Sequence, residues 1–171
     1  MKTRPKLGIS ACLRGEKVRY DGNHKRDSLL IETLGQFVTF VPVCPEAECG
    51  LGVPREAMHL IGDPAAPRLV TIHTRVDLTE QITEWASRRV AALAQEGLAG
   101  FLCKCRSPNC AITDAPILAG VGTPAAAGPG LFARILMACL PQLPVEDEER
   151  LRDPLQRERF LARLRHHAAP A

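Results

Sequence analysis

Three apolar stretches of this chain each run directly into a cysteine, and that recurrence constrains the fold more than any other feature. Behind Gly100, residues 101–105 (Phe101-Leu102-Cys103-Lys104-Cys105) alternate well enough for a buried or half-buried strand. Ser107-Pro108-Asn109 then breaks the strand, because Pro has no N–H to donate and Asn tolerates turn geometry, and Cys110 follows at once. Lys6 to Ser10 leads in the same way to Cys12, and the apolar run 37–43 leads to Cys44-Pro45-Glu46. Function-bearing side chains tend to collect just past strand ends.

The rest of the chain supplies what such strands need. Ser28 to Leu34 reads as a short helix closed by Gly35, after a loop (residues 14–26) dense in hydrogen-bonding side chains. The run 37–43 is polar only at Thr39, which predicts a central strand covered on both faces. Residues 58–61 and 68–73 predict an edge hairpin turned at Gly62-Asp63-Pro64. Residues 77–96 predict the clearest helix, with Asp77 as its cap, Gly97 as its close, and Leu78, Ile82, Trp85, Ala86, Val90 and Leu93 on one face. The Gly/Pro/Ala-rich stretch 119–130 reads as a flexible loop, and residues 130–140 as a helix with Cys139 buried. Leu143-Pro144-Val145 predicts an edge strand, Glu146 to Arg150 an acidic helix start, and residues 154–167 a terminal helix with Phe160, Leu161 and Leu164 inward. Strand, helix and strand in alternation predict a single α/β domain over residues 1–171, a Rossmann-like doubly wound sheet. Ligands of such sheets lie outside the carboxyl ends of the strands, where strand order reverses, so Cys12, Cys44 and Cys110 can converge there.

Composition narrows the chemistry. A net charge of +3, from 22 basic and 19 acidic residues, and only 4% aromatic content disfavour a nucleic-acid partner and favour a small molecule. No apolar run reaches the roughly 18–20 residues of a membrane span, and no signal-peptide core follows Met1, so a cytoplasmic protein is expected. In a reducing compartment seven cysteines point to metal, cluster or thiol chemistry rather than to structural bridges. Zinc is one option: Cys44-x₄-Cys49 and Cys105-x₄-Cys110 offer four ligands, though neither pair has the Cys-x₂-Cys knuckle. A zinc-stabilised binding module or a redox sensor is the corresponding non-catalytic reading. An iron–sulfur cluster held by three thiolates, with one iron open, is the other option. The chain has no Cys-x₃-Cys-x₂-Cys radical motif, no GxGxxG and no P-loop.

Five ordered motifs carry a resemblance. They are Ser10-Ala11-Cys12-Leu13, residues 18–25 (Val18 to Lys25), Pro42-Val43-Cys44-Pro45-Glu46, residues 50–55 (Gly50 to Arg55) and Ser107-Pro108-Asn109-Cys110. Together they resemble the 2-thiouracil desulfidase (TudS-like) family over nearly the whole chain. The resemblance implies an α/β Rossmann-like fold and a [4Fe-4S] cluster on three cysteines, which match Cys12, Cys44 and Cys110 here. It implies that the open iron takes sulfur from a thiocarbonyl, so the expected partner is a small thiolated base, converted to the oxo base with release of hydrogen sulfide. On position, Glu46 is the candidate general acid/base and Ser107 a hydrogen-bonding or proton-relay group. Tyr20, Asp21, Asn23 and His24 are the residues expected to frame the substrate. Two features depart from the family pattern. Asn109-Cys110-Ala111 stands where Ser-Cys-Gly is common, which would matter if that Gly needed a positive φ. Cys49, Cys103 and Cys105 stand where no family cysteine is expected and read as buried small residues or spare thiols.

Overall fold

The computed structural model describes residues 3–120 and 122–168. In chain order the elements are β1 (Lys6–Ser10), α1 (Ala11–Arg14), α2 (Ser28–Leu34), β2 (Thr39–Val43), α3 (Pro45–Glu48), β3 (Met58–Ile61) and β4 (Arg68–Thr71). They continue with α4 (Thr79–Gln95), β5 (Leu98–Cys103), β6 (Ala115–Leu118), β7 (Pro124–Gly128), α5 (Leu131–Cys139), β8 (Val145–Asp147), a 3-10 turn (Arg150–Arg152) and α6 (Pro154–His167).

The principal sheet is four-stranded, in the order β2-β1-β5-β8, and every pairing in it is parallel. Parallel sheets are covered on both faces, and the side chains divide accordingly. Leu7, Ile9 and Leu102 pack with Leu30 and Leu34 of α2 and Phe160 and Leu164 of α6 on one side. Phe101 and Cys103 pack with Ala86, Val90 and Leu93 of α4 and Phe132 and Leu136 of α5 on the other. There Phe132 lies 5.5 Å from Phe101 and 5.6 Å from Trp85 between ring centroids, which makes Trp85 part of the core edge. The sheet is doubly wound: from β1 the chain goes out to β2, then returns past β1 to β5 and β8. Strand order therefore reverses between β1 and β5, where their carboxyl ends leave a crevice.

A second four-stranded sheet, β4-β3-β6-β7, is mixed. It packs Leu60, Leu69 and Ile117 against Leu78 and Ile82 before and in α4 and against Leu131 of α5. The expected 58–61/68–73 hairpin forms as β3 and β4, and β3 also takes β6 in parallel on its other side.

Four expectations change. The run 37–43 is not a central strand: β2 is an edge strand that begins at Thr39, and the central strands are β1 and β5, the latter buried at all six residues. Phe37 and Val38 close α2 instead, both amides donating to Leu34 O, and Phe37 is exposed under the Arg165 guanidinium. The 119–130 stretch is not a flexible loop, since β7 pairs antiparallel with β6 from Pro124 onward; Val121 lies outside the described residues. Cys139 ends α5 exposed rather than buried. Residues 146–150 do not begin a helix: Glu146 and Asp147 lie in β8, and together with Glu148 they are buried. Among the described residues no helix is long and apolar enough to cross a membrane.

Candidate active site

Each of the three cysteines follows a strand and is fixed by its loop. β1 turns at Ser10 into α1, and Gly15, with φ of 106° in the left-handed region, ends that helix one turn later. Ser10 Oγ accepts from Lys104 N at 3.0 Å, which ties the end of β1 to the end of β5. Cys44 is the N-cap residue of α3, with Pro45 at the first helical position, where a missing N–H costs nothing. Its own amide donates to Glu48 Oε1, and Arg89 holds the other oxygen of Glu48 at 3.0 Å. Beyond β5, Ser107 Oγ accepts from the amides of Asn109 (3.3 Å) and Cys110 (3.0 Å), a turn that sets Cys110 in place. The loop's carbonyls then serve the start of α5, where Leu131 N donates to Pro108 O and Ala133 N to Asn109 O.

Cys12, Cys44 and Cys110 line one cavity of 410 Å³, and all three are free thiols. Burial pushes the Cys12 thiol up to about 11 and the Cys44 thiol up to about 12. Cys110 is raised well above the ordinary range, again first by burial and then by the nearby Glu46 charge. As bare thiols they hold their protons at neutral pH, so any metal bound there must displace those protons. Glu46 and Ser107 share the cavity wall, as do Arg19, Lys25, Arg55, Lys104 and Arg106. Once deprotonated, three thiolates on a wall that also carries five cations form a donor set suited to an anionic iron–sulfur group.

The Glu46 carboxylate is held from three sides. Asn109 Nδ2 donates to Oε1 at 2.7 Å, the Cys44 thiol stands 3.4 Å from Oε2, and the Arg55 guanidinium is 3.9 Å from Oε2. Arg55 is itself anchored by donating to Val18 O at 2.8 Å and Gly52 O at 2.9 Å. Ser107 uses its lone pairs on the two loop amides, which leaves its hydroxyl hydrogen free to donate into the cavity.

The four-thiol zinc arrangement does not assemble. A single ion requires its donor atoms close together. Among the described residues the one such group is Cys105, Asp147 and Glu148, not the cysteine quartet. Within that group Glu148 is already paired with the Lys104 ammonium and with the Cys105 amide. Cys49 turns away from the cavity and its thiol donates to Glu46 O at 3.4 Å. Thiolates of a cluster bind separate irons and need no such crowding, so the wider spacing of the three cavity thiols is compatible with a cluster. Cys103 is fully buried in the core, while Cys105 lines the cavity.

Of the residues expected to frame a substrate, Tyr20 lines the cavity and is 44% exposed. Asp21, Asn23 and His24 do not line it. Asp21 Oδ1 accepts from Asn23 N and His24 Nδ1 from Arg26 N, so these side chains build the turn that presents Arg19 and Tyr20. Sequence reasoning passed over Arg55, Lys104, Arg19 and Asn109 as site residues. Arg55 and Asn109 stood inside recognised motifs, but nothing local says that a residue 63 positions from Glu46 bonds to it. Ala111 at the usual Gly position brings no strain: among the described residues the non-glycine positive φ values belong to Arg75 and Arg106.

One glycine guards this geometry. A Cβ on Gly130 would fall 2.4 Å from Asn109 C, 2.6 Å from Asn109 O and 2.7 Å from Pro108 O, all backbone atoms. Gly130→Ala should therefore push the Cys110 loop out of place. A loss of roughly 1–3 kcal/mol of stability, the scale of overpacking, is expected together with impaired metal loading. Thermal unfolding and iron analysis of the variant check this, and parent-like values in both would show that the loop yields freely.

No curated protein sequence matches the chain. Among solved structures, one described as the [4Fe-4S]-dependent thiouracil desulfidase TudS superposes with a TM-score of 0.69 at 28% identity, over 92% of this chain and 99% of that one. The sequence model of the 2-thiouracil desulfurase family matches residues 7–148, and the chain belongs to that family.

Proposed function

We propose that the chain is a [4Fe-4S]-dependent desulfidase that converts thiolated pyrimidine bases to the oxo base and hydrogen sulfide, with Cys12, Cys44 and Cys110 as its cluster ligands. The observation that carries this reading is the meeting of those three thiols with Glu46 in one cavity, in a chain of this family. The cavity volume of 410 Å³ lies in the range of small-molecule pockets. When bound, the cluster supplies an iron without a protein thiolate, a soft site suited to a thiocarbonyl sulfur.

The protein's own groups account for the rest. Exchange of C=S for C=O by water leaves the carbon at the same oxidation level: one water enters, hydrogen sulfide leaves, and no electrons are transferred. The reaction does need a proton taken from water and one delivered to the departing sulfur. Glu46, partly desolvated and within reach of the cavity, is the group for both transfers. The Ser107 hydroxyl offers a hydrogen bond to the base, and Tyr20 an aromatic wall. Arg19, Arg55 and Lys104 offset the negative charge of thiolates and carboxylate.

Anaerobically reconstituted protein should therefore turn over thiouracil many times in buffer without reductant, nucleotide or S-adenosylmethionine, releasing equal amounts of uracil and sulfide. Activity should be lost in air and return on reconstitution. A strict need for a stoichiometric reductant would overturn the hydrolytic reading. A colourless protein with one tight zinc would overturn the cluster.

A further inference from the structure

Asn109 is 0% exposed, yet its Oδ1 has no hydrogen-bond partner. Its Nδ2 donates to Glu46 Oε1 at 2.7 Å and has otherwise only the Met58 sulfur at 3.9 Å. A buried amide that leaves its acceptor unpaired gives up free energy, and a group kept at such a cost calls for an explanation. The strong bond this side chain makes is the one to Glu46. That bond also spans the two thiol loops, since Glu46 lies two residues past Cys44 and Asn109 immediately precedes Cys110.

We infer that Asn109 is a positioning residue that fixes the orientation of the Glu46 carboxylate, with Oε1 bound by the amide and Oε2 left on the side of Cys44 and Arg55; the inference rests on the proposed desulfidase reading. An amide N–H donates but does not give up its proton, so Oε1 is committed as an acceptor. Oε2 then keeps its place beside the Cys44 sulfur at 3.4 Å and Arg55 at 3.9 Å. A glutamate on a four-residue helix has several side-chain torsions to search, and the amide removes that search before substrate arrives.

A double-mutant cycle of Asn109→Ala and Glu46→Ala, read in two ways, tests it. In reconstituted protein Asn109→Ala should keep the parent's iron content and leave KM within about two-fold, while kcat falls about tenfold, a part of the 10²–10⁴ that acid–base catalysis supplies. Added to Glu46→Ala it should lower kcat no further, because it acts through the carboxylate. In cluster-free protein the two substitutions together should destabilise, by urea unfolding, less than the sum of the two alone. Asn109→Asp keeps the shape and loses the donor, and should lower kcat at least as far as Ala. Equal kcat losses in both backgrounds, loss of iron with Asn109→Ala, or additive unfolding effects each overturn the positioning role. With an active parent these results sink the Asn109 inference alone. A parent inactive on every thiolated base sinks the functional reading, and the inference with it, even where unfolding shows the coupling.

Discussion

Replacing Cys12, Cys44 or Cys110 singly with Ser should strip the site of most of its iron and abolish turnover, whereas Ser at Cys49, Cys103, Cys105 or Cys139 should leave iron near the parent's. The three thiols proposed as ligands are not interchangeable with their neighbours, because each is delivered by a different strand of one parallel sheet. β1 and β2 are in direct register, with Ser10 opposite Val43, so Cys12 and Cys44 emerge side by side. Cys110 reaches the same cavity from beyond β5 on the loop that Ser107 shapes. Cys105 is the informative control, since it lines that cavity too. Its amide is bonded to Glu148, and its thiol is pushed up by burial first and then by the Glu148 charge. A thiolate there would lie against the Asp147 and Glu148 carboxylates. Cys103 is fully buried against the aromatic side of the sheet, so Cys103→Ser costs about 1–3 kcal/mol for an unpaired buried hydroxyl without touching the ligand set. Iron and acid-labile sulfide per folded chain, with the visible absorption of anaerobic protein, measure the outcome. If Cys49 or Cys105 proved as necessary as Cys44, the three-ligand centre would be wrong.

What the sequence could and could not reveal about this centre follows from the range of the interactions. The ends of β1, β2 and β5 were legible because an apolar run, a turn residue and a cysteine are all local, and the doubly wound topology then brings the three ends together. Placing β2 at the centre failed because Phe37 and Val38 lengthened the apolar run although their backbone belongs to the end of α2. β7 was missed because Pro124-Ala125-Ala126-Ala127-Gly128 has little intrinsic strand preference, and its pairing with β6 is a tertiary fact. The run 146–150 looked like an acidic helix start. Lys104 and the Cys105 amide, more than forty residues away, satisfy Glu148, and Arg150 and Arg163 flank Glu146. Within the loop 14–26, Asp21 Oδ1 and His24 Nδ1 accept from amides of the loop itself, a pairing that composition does not announce. The Glu46–Asn109 contact was out of reach for the same reason as Glu148: partners distant in sequence leave no local mark.

Glu46→Gln should lower turnover by about 10²-fold or more, the scale of general acid–base catalysis, while iron content holds or rises. The two readouts move apart for a physical reason. Gln keeps the shape and a carbonyl oxygen able to accept from Asn109 Nδ2, so the side chain stays where it is. It removes a negative charge that acts on the thiols of Cys12, Cys44 and Cys110. After burial, that charge is the next cause raising the thiols of Cys44 and Cys110, and for Cys12 it adds to burial against the opposing effect of Lys104. Without it the thiols give up their protons more readily, and deprotonated thiolates are what a metal binds. Arg55, deprived of its carboxylate, still donates to Val18 O and Gly52 O and stays in place. Metal loading is thus relieved while the proton carrier is gone. The measurement is iron content beside single- and multiple-turnover rates on thiouracil for the reconstituted parent and variant. Iron lost in step with activity would make Glu46 a brace for the Cys44 loop. Full activity across neutral pH would remove it from the chemistry and leave the proton to Ser107 or to water alone.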